Sequence, residues 1–417
     1  MEEVKTKIPA IRFPEFDVQW RSYMFGDIYD YLRTNSLSRS QLNYDDGEIK
    51  NIHYGDIHTK FEMNFRIDKE RVPYVNKDID LSKVEKKDYC RVGDLVIADA
   101  SEDYNDIGKT IEIREVREAK LVAGLHTYLA RDYKSLTALG FMGYYQQVWS
   151  VRLQKMKFAT GISVLGISKT NLGKVNLHLP SLPEQQKIAS FLTAVDDKTQ
   201  HLTKKKELLE QYKKGVMQKI FSQEIRFRDE DGSEFPDWEE KKLGEVCEFE
   251  NGKAHETSIV ENGKYIVVNS KFISSEGKVK KHSNSLIVGL RRGDLVMVMS
   301  DIPNGKALAK CFYIKTDGTH TLNQRICAIR SKKVETKYLY YILNRNRYYL
   351  KFDSGVGQTN LRKDEVLSCP LNISLSTKEQ QKIANVLTSI DKKIELVNTQ
   401  LEKTKEFKKG LLQQMFV

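Results

Sequence analysis

Several stretches of this 417-residue chain carry residue types that could do catalytic chemistry, and each lacks a required member. Gly108-Lys109-Thr110 could close a phosphate-binding loop, in which backbone N–H groups and a lysine cradle a polyphosphate. Such a loop also needs a glycine five residues before Gly108, where Asp103 stands. Gly355-Val356-Gly357 opens a dinucleotide-type turn that fails at Asn360. The eight histidines show no H-E-x-x-H or other metal spacing. The five cysteines (Cys90, Cys247, Cys311, Cys327, Cys369) stand far apart with no C-x-x-C pair, which argues against both a zinc site and a disulfide framework. The acid pairs Asp45-Asp46 and Asp196-Asp197 read as a turn and a helix surface. An Asn-Pro-Pro-aromatic tetrapeptide, which adenine methyltransferases carry, is absent. The sequence therefore reads as a non-enzyme.

What remains is the chemistry of recognition. Lys and Arg number 68 against 57 Asp and Glu, a net charge of +11 and a pI near 9.1, in a chain also rich in Tyr and Phe. Such an excess suits a polyanion, because each neutralised phosphate releases counterions. A merely soluble basic protein is the plainer alternative. A hydrophobic content of 40% is enough for packed cores, and the length suits two or three units. Met1-Glu2-Glu3-Val4-Lys5 has no apolar core of a signal peptide, and no apolar run approaches the ~20 residues of a membrane span. A soluble, reducing, cytoplasmic setting without a membrane partner is expected.

The elements that must position any recognition surface are announced by a repeat. Glu184-Gln185-Gln186-Lys187-Ile188-Ala189 returns as Glu379-Gln380-Gln381-Lys382-Ile383-Ala384, an offset of 195 that then holds without a gap. Leu192-Thr193 matches Leu387-Thr388, Asp196 matches Asp391, Lys213-Lys214-Gly215 matches Lys408-Lys409-Gly410, and Gln218 and Phe221 match Gln413 and Phe416. Upstream, Arg91-Val92-Gly93-Asp94-Leu95-Val96 recurs as Arg291-Arg292-Gly293-Asp294-Leu295-Val296. Phe13-Pro14-Glu15-Phe16, then Trp20 and Gly26, echoes Phe235-Pro236-Asp237-Trp238, then Gly244, with the tryptophan six residues before the glycine each time. The offset shifts from 218 through 200 to 195, so loops of different length separate shared framework elements. The order is domain, tail, domain, tail.

The tails read as long helices. Ile383, Leu387, Ile390, Ile394, Val397 and Leu401 alternate spacings of four and three, with Phe407, Leu411 and Met415 continuing the stripe after a shift. Ile188, Leu192, Val195, Thr199, Leu202, Leu209, Val216 and Ile220 fall in the matching register. So narrow a stripe is a coiled-coil seam, and at 1.5 Å per residue each helix is roughly 55 Å long. The alternative is that each tail packs on its own domain. In the domains, Leu95–Ala98, Leu295–Met299, Tyr265–Val268, Leu125–Ala130 and Ile326–Ile329 read as buried strands. Tyr144–Val148 and Tyr338–Leu343 read as short helices, which makes each domain a mixed α+β unit.

This duplicated order resembles the specificity subunits of type I restriction-modification enzymes. The resemblance rests on the E-Q-Q-K-I-A, D-x-K and K-K-G tail motifs, the Leu179-Pro180-Ser181-Leu182-Pro183 lead-in, the R-x-G-D-L-V strand entry and the stretch Gly355–Leu361, and it covers essentially the whole chain. Two departures stand out. Leu375-Ser376-Thr377-Lys378 replaces the proline-rich lead-in, and Thr160-Gly161-Ile162-Ser163 stands where the second half has Gly-Val-Gly-Gln. The resemblance implies target recognition domains at 1–180 and 222–374, and long helices at 181–221 and 375–417 that pair antiparallel about a pseudo-twofold axis. It implies that each domain reads one half of a bipartite site in double-stranded DNA while the helices set the gap and dock partners. Those partners would be methyltransferase subunits, two copies, using S-adenosylmethionine on adenine, and restriction subunits that translocate and cut DNA with ATP and Mg2+. The chain itself would hold no cofactor and no metal.

Base readers should be side chains that pair with base edges in the major groove, Arg or Lys with guanine and Asn or Gln with adenine. Polar and basic positions beside the apolar runs are the candidates. In the first domain they are Asn51, His53, Tyr54, His58, Lys60, Lys109 and His126. In the second they are Asn269, Lys271, Lys278, Lys280, Lys281, Asn304, Lys306, Gln324 and Arg325. The plain readings are a phosphate grip or solvated loop for Lys278–His282, a core or turn residue for His126, and a strand start for Gln324-Arg325. Lys204–Lys206 and Lys213-Lys214 lie on or beside the seam, where a charge run is usually a solvated face. Two other classes remain open. A free-standing bipartite DNA-binding regulator would share this architecture but would not need such long tails. A nuclease with ungrouped carboxylates would cut DNA alone.

Overall fold

A computed structural model describes residues 8–82 and 84–417; the N-terminal stretch Met1–Lys5 lies outside the described residues. The chain divides into two compact units. The first takes in the chain up to Lys204 together with Asn398–Val417, and the second is Lys205–Val397. Each long helix is therefore shared: Leu182–Phe221 begins in the first unit and ends in the second, and Thr377–Gln414 does the reverse.

Each unit is built on two larger sheets, with two two-stranded sheets beside them. In the first unit one sheet has the strand order Tyr29–Leu32, Thr127–Asp132, Leu95–Ala98, Thr110–Glu115, Asn64–Arg66, antiparallel except for the last pair. Its second sheet runs Lys120–Ala123, Ile49–Ile52, Tyr74–Val75, Leu42–Asn43, with the first two strands parallel. In the second unit the order Cys247–Asn251, Ile326–Ser331, Leu295–Val298, Cys311–Tyr313 answers the first sheet. The order Ile259–Val260, His282–Ser283, Tyr265–Val268, His320–Leu322 answers the second, again with one parallel pair, Tyr265–Val268 beside His320–Leu322. Leu95–Ala98 and Leu295–Val298 are buried at every residue, as continuous apolar runs in central strands must be. The five cysteines are buried free thiols.

The repeated motifs turn out to be the joints of this frame. Gly93 and Gly293 hold φ of +91° and +95°, a left-handed conformation that glycine adopts without strain, so the chain can turn into the central strand. The aspartate that follows caps the turn and takes a guanidinium from the neighbouring strand. Asp94 accepts from Arg131 at 2.7 Å through both oxygens, and Asp294 accepts from Arg330 at 3.0 and 3.1 Å. At the start of each tail the glutamate is buried and accepts from the repeated tryptophan: Trp20 to Glu184 at 3.3 Å, Trp238 to Glu379 at 3.0 Å. The next glutamine bridges backbone groups of its own unit. Gln185 accepts from Ala138 N–H and donates to Leu136 and Pro180 carbonyls, while Gln380 accepts from Glu335 N–H and donates to the Ser374 carbonyl.

Both expectations for the tails hold in part. Ile188, Leu192 and Val195 lie in the first unit's core beside Leu411, Met415 and Phe416 from the end of the other helix. Ile383, Leu387 and Ile390 lie in the second unit's core beside Ile220, with Val216 against it. So each tail starts in the core of the domain before it and ends in the core of the other unit. Within each unit the helix segments run antiparallel, and a matched ion pair joins them: Lys408 to Asp196 at 2.5 Å, Lys213 to Asp391 at 2.6 Å. A tyrosine hydroxyl from the domain reaches the same aspartate, Tyr144 at 2.8 Å and Tyr341 at 2.7 Å, and the lysine lies over that ring. Lys213 is thus a seam residue and not part of a solvated face. Phe407 corrects the expected stripe, because it is 54% exposed. Strict four–three spacing from Leu401 leads through Thr404 and Lys408 to Leu411, and Thr404 is buried.

Candidate nucleic-acid interface

In both units one corner of the frame gathers the polar candidates. In the first unit Ile49–Ile52 runs parallel to Lys120–Ala123 and delivers the chain to His53, which caps the helix Tyr54–Thr59 by accepting from Gly55 N–H at 3.1 Å. The neighbouring strand ends in the turn Gly124-Leu125-His126 before Thr127–Asp132. In the second unit Tyr265–Val268 runs parallel to His320–Leu322 and leads to Asn269, which caps Ser270–Ser274 by accepting from Phe272 N–H at 2.9 Å. Its neighbour ends in Asn323-Gln324-Arg325 before Ile326–Ser331. His53 and Asn269 therefore hold one topological position, and His126 and Arg325 another. The latter two share a left-handed backbone, φ +53° and +67°, and each backbone carbonyl accepts from the end of the central strand, from Asp99 and Met299 N–H respectively. A left-handed non-glycine residue is uncommon, and its recurrence at the same turn marks the position.

The side chains at these matched positions differ. Around the first corner Tyr54 packs among three imidazoles, with ring centroids 4.7 Å from His53, 5.9 Å from His58 and 5.3 Å from His126. His126 Nδ1 lies 3.2 Å from Asp99, and His58 Nε2 lies 2.9 Å from the Ala100 carbonyl. Burial, reinforced by the Arg39 guanidinium, pushes the His53 pKa below the ordinary imidazole value. Burial raises the Asp99 pKa against the opposing pull of His126. Lys60 is bound at 2.8 Å to both Asp56 and the Tyr44 hydroxyl, and Lys109 donates to the His58 carbonyl at 2.6 Å. Burial alone would raise the Asp56 pKa, but hydrogen bonds from Arg39 and Lys60 hold it below the ordinary carboxylate value. Asn51 does not join this surface. It is fully buried beneath the corner and accepts from Asn35 at 2.7 Å, so its amide belongs to the core.

The second corner is an open depression of about 400 Å3 that unites four sequence candidates, Asn269, Lys271, Gln324 and Arg325. It adds Glu256 and Asn323, which sequence reasoning missed. Gln324 donates to the Glu256 carboxylate. Lys278, Lys280 and Lys281 are exposed in the segment between Ser274 and His282, outside this depression. Asn304 and Lys306 are exposed in a further loop, after Ser300–Asp301. That loop lies beside Gly355, and the short strand Ser300–Asp301 pairs with Thr359–Asn360. In the first unit Ala100–Ser101 pairs with Leu165–Gly166 in the same antiparallel way, so the two stretches that differ in sequence, 160–163 and 355–358, lead into matching short strands. Asp99 was legible as the residue ending the strand after the repeated R-x-G-D-L-V entry; Glu256 carries no comparable mark.

Residues 18–211 and 236–406 match the family described as the type I restriction modification DNA specificity domain. The chain belongs to that family. It is 28% identical over 276 residues to the type I restriction enzyme MjaVIII specificity subunit of Methanocaldococcus jannaschii, a match covering 60% of this chain and 64% of that relative, just under two thirds of its length. It is 23% identical over 428 aligned residues to the putative MjaX specificity subunit of the same organism, covering 98% of this chain and 94% of that one. Among solved structures, the S subunit of a type I restriction-modification system from M. genitalium aligns with a TM-score of 0.59 at 14% identity, covering 99% of both chains. A chain from a structure of a type I R-M system, concerned with its assembly and conformational transition, aligns with a TM-score of 0.54 at 14% identity, covering 95% and 97%. At that identity these two structures speak to the fold of this specificity subunit alone. Among the described residues no group of three or more His, Cys, Asp or Glu could hold a metal, and no helix is long and apolar enough to cross a membrane.

Proposed function

We propose that this specificity subunit reads an asymmetric bipartite site in double-stranded DNA, one half with each unit, and catalyses nothing itself. In this reading it works in the cytoplasm. It directs two methyltransferase subunits, which use S-adenosylmethionine, to adenine, and directs restriction subunits that use ATP and Mg2+. The observation that carries the reading is the pair of matched corners. One backbone frame presents His53 and His126 in the first unit and Asn269 and Arg325 in the second. A shared frame with different side chains at its polar corner is what two readers of different half-sites require, because base edges are told apart by donor and acceptor pattern. The net charge of +11 supports a phosphate-bearing partner.

Genome-wide mapping of N6-methyladenine with and without the chain tests this, in a strain whose partner methyltransferase is active. A gapped, asymmetric motif with one methylated adenine per half should lose its mark on deletion. An unchanged methylome would overturn the reading and favour a free-standing DNA-binding regulator.

A further inference from the structure

We infer that the depression in the second unit reads one guanine·cytosine pair, with Arg325 and Lys271 on the guanine and Glu256 on the cytosine. This inference rests on the DNA-reading function proposed above. Guanine offers O6 and N7 acceptors in the major groove, cytosine an N4 donor, and adenine a donor beside an acceptor. The side chains suited to adenine, Asn269 and Gln324, are already partly engaged: Asn269 Oδ1 accepts from Phe272 N–H at 2.9 Å, and one N–H of the Gln324 amide donates to Glu256. The two cations are not committed. Arg325 and Lys271 are exposed and, among the described residues, make no side-chain hydrogen bond or ion pair. By contrast Lys60, Lys213, Lys310 and Arg330 are each tied to a carboxylate.

Acceptors complete the pattern. Glu256 engages Gln324 through Oε1, which leaves Oε2 for a donor such as cytosine N4. Asn323 Oδ1 is buried, lacks a hydrogen-bond partner and belongs to a residue lining the same depression. The left-handed backbone at Arg325 fixes where its side chain leaves the turn, and the bond from Met299 N–H to its carbonyl at 2.9 Å anchors that turn to the central strand. A base reader needs such a fixed origin, whereas a phosphate grip tolerates a mobile one. In the first unit the matched turn presents His126 next to Asp99, so this pattern is confined to one half-site.

The test is a binding selection from DNA with a randomised half-site, using the full chain assembled with its methyltransferase partner at two salt concentrations. The wild type should select a G·C pair at a fixed position. Arg325→Asn, chosen because asparagine accepts the left-handed backbone, should lose that guanine preference by about tenfold or more while other positions stay unchanged. Glu256→Gln should relax discrimination at the same pair. If Arg325→Asn instead weakens all sequences alike and lowers the salt slope by about one, Arg325 is a phosphate contact and the inference is overturned. A G·C preference untouched by Arg325→Asn also overturns it. If the wild type selects no gapped motif at all, the proposed function itself fails.

Discussion

The two units share joints but bury their charges differently. Both bury the turn aspartate, Asp94 or Asp294, and the tail glutamate, Glu184 or Glu379. Among the described residues the first unit also buries Asp56, Asp88, Glu112, Arg131, Arg152 and Lys155, and the second adds no further buried Asp, Glu, Lys or Arg. Lys155 is the extreme case. Its amino group donates to the Gly108 carbonyl and Thr110 Oγ1, both at 2.8 Å, with no carboxylate partner among the described residues, and burial pushes its pKa well down. Glu112 accepts from Gly140 and Gly143 N–H, where the register of the second unit places Tyr313. One frame therefore supports two electrostatic interiors. The shared joints, Arg131 with Asp94 and Arg330 with Asp294 among them, hold the strands and tails, and the charges found only in the first unit include Asp56, Arg152 and Lys155 on helices and Glu112 on a strand.

Removing the shared joint should cost the two units unequally. Asp94→Ala strands Arg131, whose side chain is 9% exposed, and should destabilise the first unit by about 3–5 kcal/mol. Asp294→Ala leaves Arg330, 26% exposed and still facing Glu250, and should cost about half as much. Chemical denaturation of the two variants measures both, and equal losses would mean that the joints are energetically alike.

A somewhat smaller effect separates the units by pH. Burial lifts the Glu112 pKa from 4.5 to about 7, so the folded unit keeps a proton that the unfolded chain releases. The associated stability is fully present below about pH 4.5 and is lost as pH rises through about 7, a swing of roughly 3 kcal/mol. Thermal unfolding of wild type at pH 5 and pH 8 should show this, and Glu112→Gln should flatten it. A dependence that survives Glu112→Gln would place its source elsewhere.

The smallest effect should be the most symmetric. Lys408→Ala and Lys213→Ala each remove one ion pair between helix segments, from lysines 21% and 22% exposed. Each should cost about 1 kcal/mol, within a few tenths of the other, by the same denaturation measurement. Unequal losses would show that the matched clamps are not equivalent.

Local pattern carried much of the frame. The gapless offset of 195 announced two helices in one register, and the apolar runs marked both central strands, because strand and helix periodicities are written in neighbouring residues. Phase could also have been read further than hydrophobicity suggested. Thr404 and Lys408 keep the seam's spacing and Phe407 does not, so phase and apolarity disagreed there and phase prevailed.

The site was less legible, since a polar side chain beside a strand can face outward or fill the core. Asn51 and Asn269 both flank apolar strands, yet Asn51 is sealed under its neighbours and Asn269 opens onto a depression. The duplication, the tail helices, the strand entries and the kind of side chain available for recognition are all written in the order of residues. Folding is what gives His126 and Arg325 the same left-handed turn, joins Glu256 and Asn323 to Arg325, and ends each tail in the other unit's core. The reason is physical: periodicity is set by covalent neighbours, whereas burial and convergence depend on parts of the chain that meet only on folding.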